Sequence, residues 1–327
     1  MNLETFELLR SPVGAEALAA AAELGTALDR YPASFDRLRK RLPAELARAA
    51  LDTAMLREKA RAKFARAAEM FITREALEMA TSEPVAEYRA TRFAGFARIA
   101  DLGCCIGGDA IALAASGHDV VAVERDPLLA RMAEANLAVH GLSANVVCGD
   151  ALAVPLDVDA AFAHPGRRPG GRRTLDPEMY EPPVSALVAR FPRGFPLAIK
   201  VAPGIDREAL TAFDADPEFV SRDGELKECT LGFGPLRTGT SRATVLPGPH
   251  TLVGTGAKAE LGDIAAFVYD PDPAVSRAGL IAELGELLGA HQFDPGIAFL
   301  TADTLVSTPF ASAYRIEAVI PFRPRKI

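Results

Sequence analysis

Tryptophan is absent from this chain, and cysteine and histidine are scarce, at four and five residues. The cysteines stand at positions 104, 105, 148 and 229. None forms a C-x-x-C pair, and two adjacent thiols cannot comfortably face one metal, so a zinc site is not expected. Three of the four fall at or near expected strand ends, where a free thiol behaves as a small apolar side chain. Also missing is any apolar stretch long enough to cross a bilayer. The most apolar helical region, residues 13–28, is interrupted by Glu16, Glu23 and Gly25. Glu4 and Glu7 take the place of a basic start followed by an apolar run, which argues against a secretory signal and makes the cytoplasm the expected location. Internal repeats and low-complexity segments are lacking as well.

What is present is the composition of a soluble enzyme, 49% hydrophobic and 24% charged over 327 residues, enough for two or three domains. The net charge of −7 disfavours a nucleic-acid partner, but its distribution does not. Residues 34–74 hold eleven Lys/Arg against five Asp/Glu. A second cluster, Arg167-Arg168 and Arg172-Arg173, contains no acid, and the tail carries Arg323, Arg325 and Lys326. Local clusters of this kind meet phosphates even on an acidic chain; a solvated helix face and a solvated loop are the plainer explanations.

Residues 1–80 read as a helical region, with Leu38, Leu42, Leu46 and Ala50 at i, i+4 spacing. From residue 98 the texture becomes alternating short apolar runs and helices. Strands are expected at 98–102, 119–123, 145–148, 160–163 and 196–201, with helices at 108–115 and 127–140, the second opened by Asp126-Pro127. This rhythm predicts parallel pairing through right-handed crossovers, a doubly wound, Rossmann-like α/β sheet over residues 81–249. Strands at 226–231 and 242–246 are expected to finish it antiparallel. Gly and Pro between 246 and 256 suggest a linker or loop, and residues 250–327 a small α+β domain with a strand at 265–269, a helix from 273 to 288 and a last strand-like run at 310–322.

In such a sheet ligands bind beyond the carboxyl ends of the strands. The first strand ends in Asp101-Leu102-Gly103-Cys104-Cys105-Ile106-Gly107-Gly108-Asp109, the second in Glu124 and the third in Cys148-Gly149-Asp150. Glycines let the backbone approach a ligand closely. Gly103 and Gly108 fit a dinucleotide loop, but its middle position is Cys105, and Asp101 would repel a pyrophosphate. A carboxylate there suits an ammonium; Glu124 suits ribose hydroxyls and Asp150 an adenine amino group. Three strand-end acids therefore favour S-adenosyl-L-methionine over NAD, and a nicotinamide oxidoreductase is disfavoured.

At these residues the chain resembles class I S-adenosylmethionine-dependent methyltransferases, and more narrowly the branch containing trimethylguanosine synthase and bacterial proteins with a THUMP-like C-terminal domain. The matching motifs are Asp101 to Asp109, Glu124 with Asp126-Pro127, Gly149-Asp150 and the fourth motif His164-Pro165-Gly166-Arg167-Arg168. Phe71-Ile72-Thr73-Arg74-Glu75 is similar to the branch's pre-motif, and Leu300-Thr301 with Thr308-Pro309-Phe310-Ala311 to its last domain. The resemblance implies a cofactor site of Thr73, Asp101, Gly103, Cys105, Gly107, Glu124, Arg125 and Asp150. It places the methyl-accepting atom at His164, Pro165 and Arg167, with Arg168, Arg172, Arg173 and Tyr180 toward a substrate, expected to be RNA methylated on a base nitrogen. It also implies that the last domain continues further in relatives, so that here it is expected to be incomplete.

Two positions depart from the branch. Cys105 replaces a glycine, its side chain either crowding the pocket or pointing away into the sheet, and His164 replaces Asp, Asn or Ser. Tight turn packing is the alternative for Tyr180 beside Pro182-Pro183, and pairing with an acid the alternative to a pocket role for Lys200. Two rival functions remain open on sequence: a decayed core that only binds RNA, and a methyltransferase for a small molecule or protein.

Overall fold

Asn2, Ser11, Thr73 and Asp126 each turn a side-chain oxygen back onto the backbone N–H groups of a starting helix, and these caps set the helix boundaries of the first half. The computed structural model describes residues 1–25, 28–167, 172 and 174–320. It divides into one unit of residues 1–174 and 178–192 and another of 175–177 and 193–327.

The first unit opens with α1 (Leu3–Arg10), α2 (Pro12–Leu24), α3 (Tyr31–Leu38) and α4 (Ala44–Ala60), then the shorter α5 (Arg74–Met79) and α6 (Glu83–Thr91). The periodic Leu38, Leu46 and Ala50 meet Leu9, Leu18 and Ala21 in one buried cluster, as amphipathic helices require. Then follow β1 (Arg98–Leu102), α7 (Gly108–Ala115), β2 (Asp119–Glu124), α8 (Pro127–Val139), β3 (Asn145–Cys148), β4 (Ala160–Ala163) and α9 (Val184–Ala189). The strands stand in the order β3-β2-β1-β4, every pair parallel, as the crossover rhythm predicts. Asp101 lies between Ala122 of β2 and Phe162 of β4. β4 is buried along its whole length, which is why it reads as an unbroken apolar run.

The second unit contains β5 (Leu197–Val201), α10 (Arg207–Leu210), β6 (Asp216–Arg222), β7 (Glu225–Phe233), β8 (Arg242–Leu246) and β9 (His250–Val253). Their order is β5-β7-β6-β8-β9, antiparallel except for β6 with β8. A smaller antiparallel sheet, β11-β12-β10-β13, joins β10 (Phe267–Pro271), β11 (His291–Gln292), β12 (Leu300–Ala302) and β13 (Ala311–Arg315), with α11 (Pro273–Ala278) and α12 (Ile281–Leu288) between β10 and β11.

Four details differ from the sequence expectation. β6 is an unforeseen strand, because its Asp216 and Glu218 are buried acids with partners. The 246–256 stretch, expected as linker, holds β9 paired with β8. The helix expected at 273–288 is two helices, since Gly279 takes a left-handed φ of 73° and ends the first. The last run shortens to β13. Among the described residues no helix is long and apolar enough to cross a membrane.

Candidate active site

Asp101, at the carboxyl end of β1, is fully buried, and neither carboxylate oxygen reaches a hydrogen-bond partner of good geometry. Burial pushes its pKa up to about 7; Arg89 opposes the rise, Glu124 adds to it and the Ala110 amide opposes it. A buried carboxylate left open in this way is a position for a cationic ligand group.

The chain leaves β1 by a tight loop. The N–H groups of Gly103 and Cys104 both donate to the Val123 carbonyl, at 2.8 and 3.1 Å. Gly103 has φ of 80°, and a Cβ there would stand 2.8 Å from the carbonyl oxygen of His164. Only glycine allows that approach. Gly107, with φ of 86°, caps α7. Glu124 organises the loop from the next strand: Oε2 accepts from the Cys105 N–H at 2.9 Å and Oε1 from the Asp126 N–H at 3.0 Å. Asp150 is exposed, its Oδ1 accepting from Leu152 N–H at 2.8 Å.

Cys105 lies against a cluster that includes Ile72, Ile106 and Met132, so its side chain shares in apolar packing. Burial raises its pKa to about 12, with Glu124 adding to the shift, and Cys104 is raised by burial too. Both are protonated thiols at neutral pH, small apolar side chains and not nucleophiles.

The fourth motif stands across the loop. His164 N–H donates to the Leu102 carbonyl at 2.9 Å, and its Nδ1 lies 3.9 Å from Oδ2 of Asp109. Asp109 also accepts from Thr81 Oγ1 at 3.1 Å and pairs with Arg89. The Arg89 guanidinium lies 4.2 Å from the Phe162 ring centre. Pro165 is buried, Arg167 half-buried and Arg172 exposed. Gly166 and Glu181 exchange backbone hydrogen bonds, each at 2.9 Å, and Arg125 pairs with Glu181 at 2.8 Å. Tyr180 is only 1% exposed, so its side chain belongs to the packing of this turn and not to an open rim. Arg168 and Arg173, like the tail cations Arg323, Arg325 and Lys326, lie outside the described residues.

Thr73 caps α5, accepting from Ala76 N–H at 3.1 Å. Its segment is fixed by Asn136, a fully buried side chain of α8 that the sequence reading missed. Asn136 Oδ1 accepts from Phe71 N–H at 2.7 Å, and Nδ2 donates to the carbonyls of Phe71 at 3.0 Å and Ile106 at 2.9 Å. The pre-motif and the glycine loop are thereby joined. An asparagine within an otherwise apolar helix face is the signal that marks it. Arg89 and Thr81 were missed with no comparable signal, their partner Asp109 being distant in sequence. Lys200, in the second unit, is buried 3.5 Å from buried Glu228, the structural pairing that was one of its two readings.

Comparison with known proteins gives this geometry its setting. A domain of unknown function (DUF8688) matches residues 2–60. An uncharacterized S-adenosylmethionine-dependent methyltransferase of Mycobacterium tuberculosis, found in strains CDC 1551 and H37Rv, is 32% identical over 289 residues, which is 85% of this chain and 79% of the relative. The crystal structure of a Porphyromonas gingivalis W83 protein described as a methyltransferase superposes with a TM-score of 0.73 at 20% identity, covering 94% of this chain and 83% of that one. That likeness makes the architecture the Rossmann-like methyltransferase fold. On its sequence kinship the chain belongs to the class I S-adenosylmethionine-dependent methyltransferases, an enzyme whose cofactor is S-adenosylmethionine.

Proposed function

We propose that the strand-end site of the first unit holds S-adenosylmethionine and that the methyl acceptor is a nitrogen of an RNA base. The observation that carries the cofactor assignment is the fully buried Asp101 carboxylate, approached by the Ala110 amide but reached by no hydrogen bond of good geometry, which fits the ammonium of the methionine moiety. Gly103 and Gly107 give the backbone its close approach, Glu124 takes the ribose hydroxyls, and Asp150 with Arg125 stands toward the adenine. Cys105 belongs to the same loop, and Thr73 follows Phe71, which Asn136 ties to it. Bound there, the cofactor supplies an electrophilic sulfonium methyl.

The acceptor belongs beside His164 and Pro165, across the loop from Gly103. A hydrogen bond from the target amino group to the neutral imidazole, with the base against Pro165, aims the nitrogen lone pair. As the N–C bond forms and the S–C bond breaks, the nitrogen loses a proton; the imidazole receives it, with the Asp109 carboxylate 3.9 Å away to stabilise the cation. Arg167, with Arg168, Arg172 and Arg173, meets the phosphates of the strand. In the same reading residues 250–327 are a THUMP-like module that adds to RNA affinity.

Calorimetric titration with S-adenosylhomocysteine, followed by transfer of labelled methyl to RNA, tests this. Asp101→Ala should lose the cofactor. His164→Ala should keep the cofactor and lose methyl transfer. Full activity on RNA in an Arg167→Ala, Arg168→Ala double variant would remove these arginines from the RNA contact, and no methyl transfer to RNA by the cofactor-binding wild-type chain would remove RNA as the acceptor.

A further inference from the structure

A cavity of about 720 Å³ lies in the helical part of the first unit, walled by α1, α3, α4 and the segment Ile72-Thr73-Arg74. That is the size of a site for a small organic ligand. Almost all of its wall falls in residues 1–59, and all of that but Met1 lies within the domain of unknown function, residues 2–60. The rest is the pre-motif that Asn136 ties to the glycine loop.

Its chemistry is two-sided. Met55, Leu56, Ile72 and the ring of Tyr31 offer apolar wall, while Arg48, Lys59 and Arg74 supply cations against the acids Glu45 and Asp52. Asp52 accepts from the Tyr31 hydroxyl at 2.8 Å; burial, and after it this bond, raises the Tyr31 pKa to about 12. Arg48, Asp52, Met55 and Lys59 recur at helical spacing along one face of α4, over about 16 Å. Nearby arginines are neutralised one turn away, Arg39 by Asp36, Arg61 by Glu58 and Arg66 by Glu69. Arg48, Lys59 and Arg74 make no ion pair among the described residues, and all three are exposed. Cations without an ion pair, Arg48 standing 5.7 Å from the centre of the Phe35 ring, rim a partly apolar cavity and suit a ligand with a flat apolar body and an anionic group.

We infer that this cavity takes one nucleotide of the single-stranded RNA substrate, its base against the apolar wall and its phosphate on Arg48, Lys59 and Arg74. The inference rests on the RNA reading above, and it gives the basic segment 34–74 and the domain of unknown function a role: holding the strand beside the cofactor loop.

Fluorescence anisotropy of a labelled single-stranded RNA of mixed sequence, titrated with the full chain, reads the outcome. An Arg48→Glu, Lys59→Glu double variant should bind at least roughly tenfold more weakly and with a salt slope lower by about one. Its calorimetric affinity for S-adenosylhomocysteine should be unchanged, which certifies the fold. Ala44→Trp narrows the cavity from an exposed position without changing charge, and it should weaken RNA binding as well. Unchanged RNA binding in either variant overturns the inference, since loss in the charge variant alone marks a basic surface and not a cavity. RNA binding that falls only in Arg167→Ala leaves the RNA reading standing and removes the cavity from it. A wild-type chain that binds no RNA overturns both.

Discussion

The backbone N–H of Cys105 donates to Oε2 of Glu124 at 2.9 Å, so a residue with φ of 54° is held in the left-handed region by the acid that ends the neighbouring strand. Left-handed backbone disfavours a side chain by about 1–2 kcal/mol and disfavours a β-branched one most. Cys105→Gly should therefore keep cofactor affinity, with a stability change within about 1 kcal/mol. Cys105→Val should lower the midpoint of thermal unfolding and weaken S-adenosylhomocysteine binding. Equal behaviour of the two variants in both measurements would contradict this account.

Asp101 gives the site a pH dependence. With a pKa of about 7 in the ligand-free protein, it must ionise to pair an ammonium. Cofactor affinity should thus fall about tenfold for each pH unit below 7, with proton release on binding seen by calorimetry in buffers of different ionisation enthalpy. The stability sign is the reverse of a salt-bridged acid. Folding raises this pKa above the ordinary value, so its contribution to stability is lost as pH rises from about 4 through 7 and stays lost above that. Asp101→Asn should raise the melting temperature of the ligand-free protein at pH 8 while abolishing cofactor binding.

The elements of the first unit were largely legible because each strand is a short apolar run with a clear stop, an acid or a glycine for β1 to β3 and His164-Pro165 for β4: β1, β3 and β4 begin and end as read. The same punctuation puts the acids at 101, 124 and 150 at or just beyond strand ends, which is where the structure has them. What stayed hidden depends on partners far along the chain. β6 starts Asp216-Pro217-Glu218, which reads as a polar turn; it is a strand because Thr238 and Gly239 N–H groups and the Thr244 hydroxyl satisfy those acids. β9 follows Pro247-Gly248-Pro249, a linker by local chemistry, and forms by pairing with β8.

Asn136 is the clearest case of a residue that only the fold explains, joining backbone 65 and 30 positions away. Asn136→Leu keeps the volume and leaves three backbone groups without partners, an expected loss of about 3 kcal/mol or more. Denaturant unfolding monitors it. Cofactor binding at low temperature, where the variant stays folded, should also weaken, because the Ile106 side of the loop is released. A change below about 1 kcal/mol would show that water replaces the amide.

Arg89 and Asp109, both buried, form the other long-range device. Arg89→Met leaves the Asp109 charge uncompensated and should destabilise by about 3–5 kcal/mol. Arg89→Met combined with Asp109→Leu should recover a large part of that loss, although Thr81 and His164 lose their contact with Asp109. An additive double variant would show that the two side chains do not depend on one another.

The loop from 103 to 107 also governs which changes its descendants can carry. Its left-handed positions are not equivalent. Cys105, at φ of 54°, sits near the centre of the left-handed well that L-residues reach. Gly103 and Gly107, at 80° and 86°, lie beyond it, and at 103 the missing Cβ faces a backbone oxygen that cannot yield. Sequence drift in this loop therefore has one outlet. Position 105 can pass among Gly, Ala, Ser and Cys with the cofactor cradle intact, whereas the same exchange at 103 closes it. If the loop holds the cofactor as proposed, a small side chain at 105 should leave binding intact, and loss of glycine at 103 should abolish it.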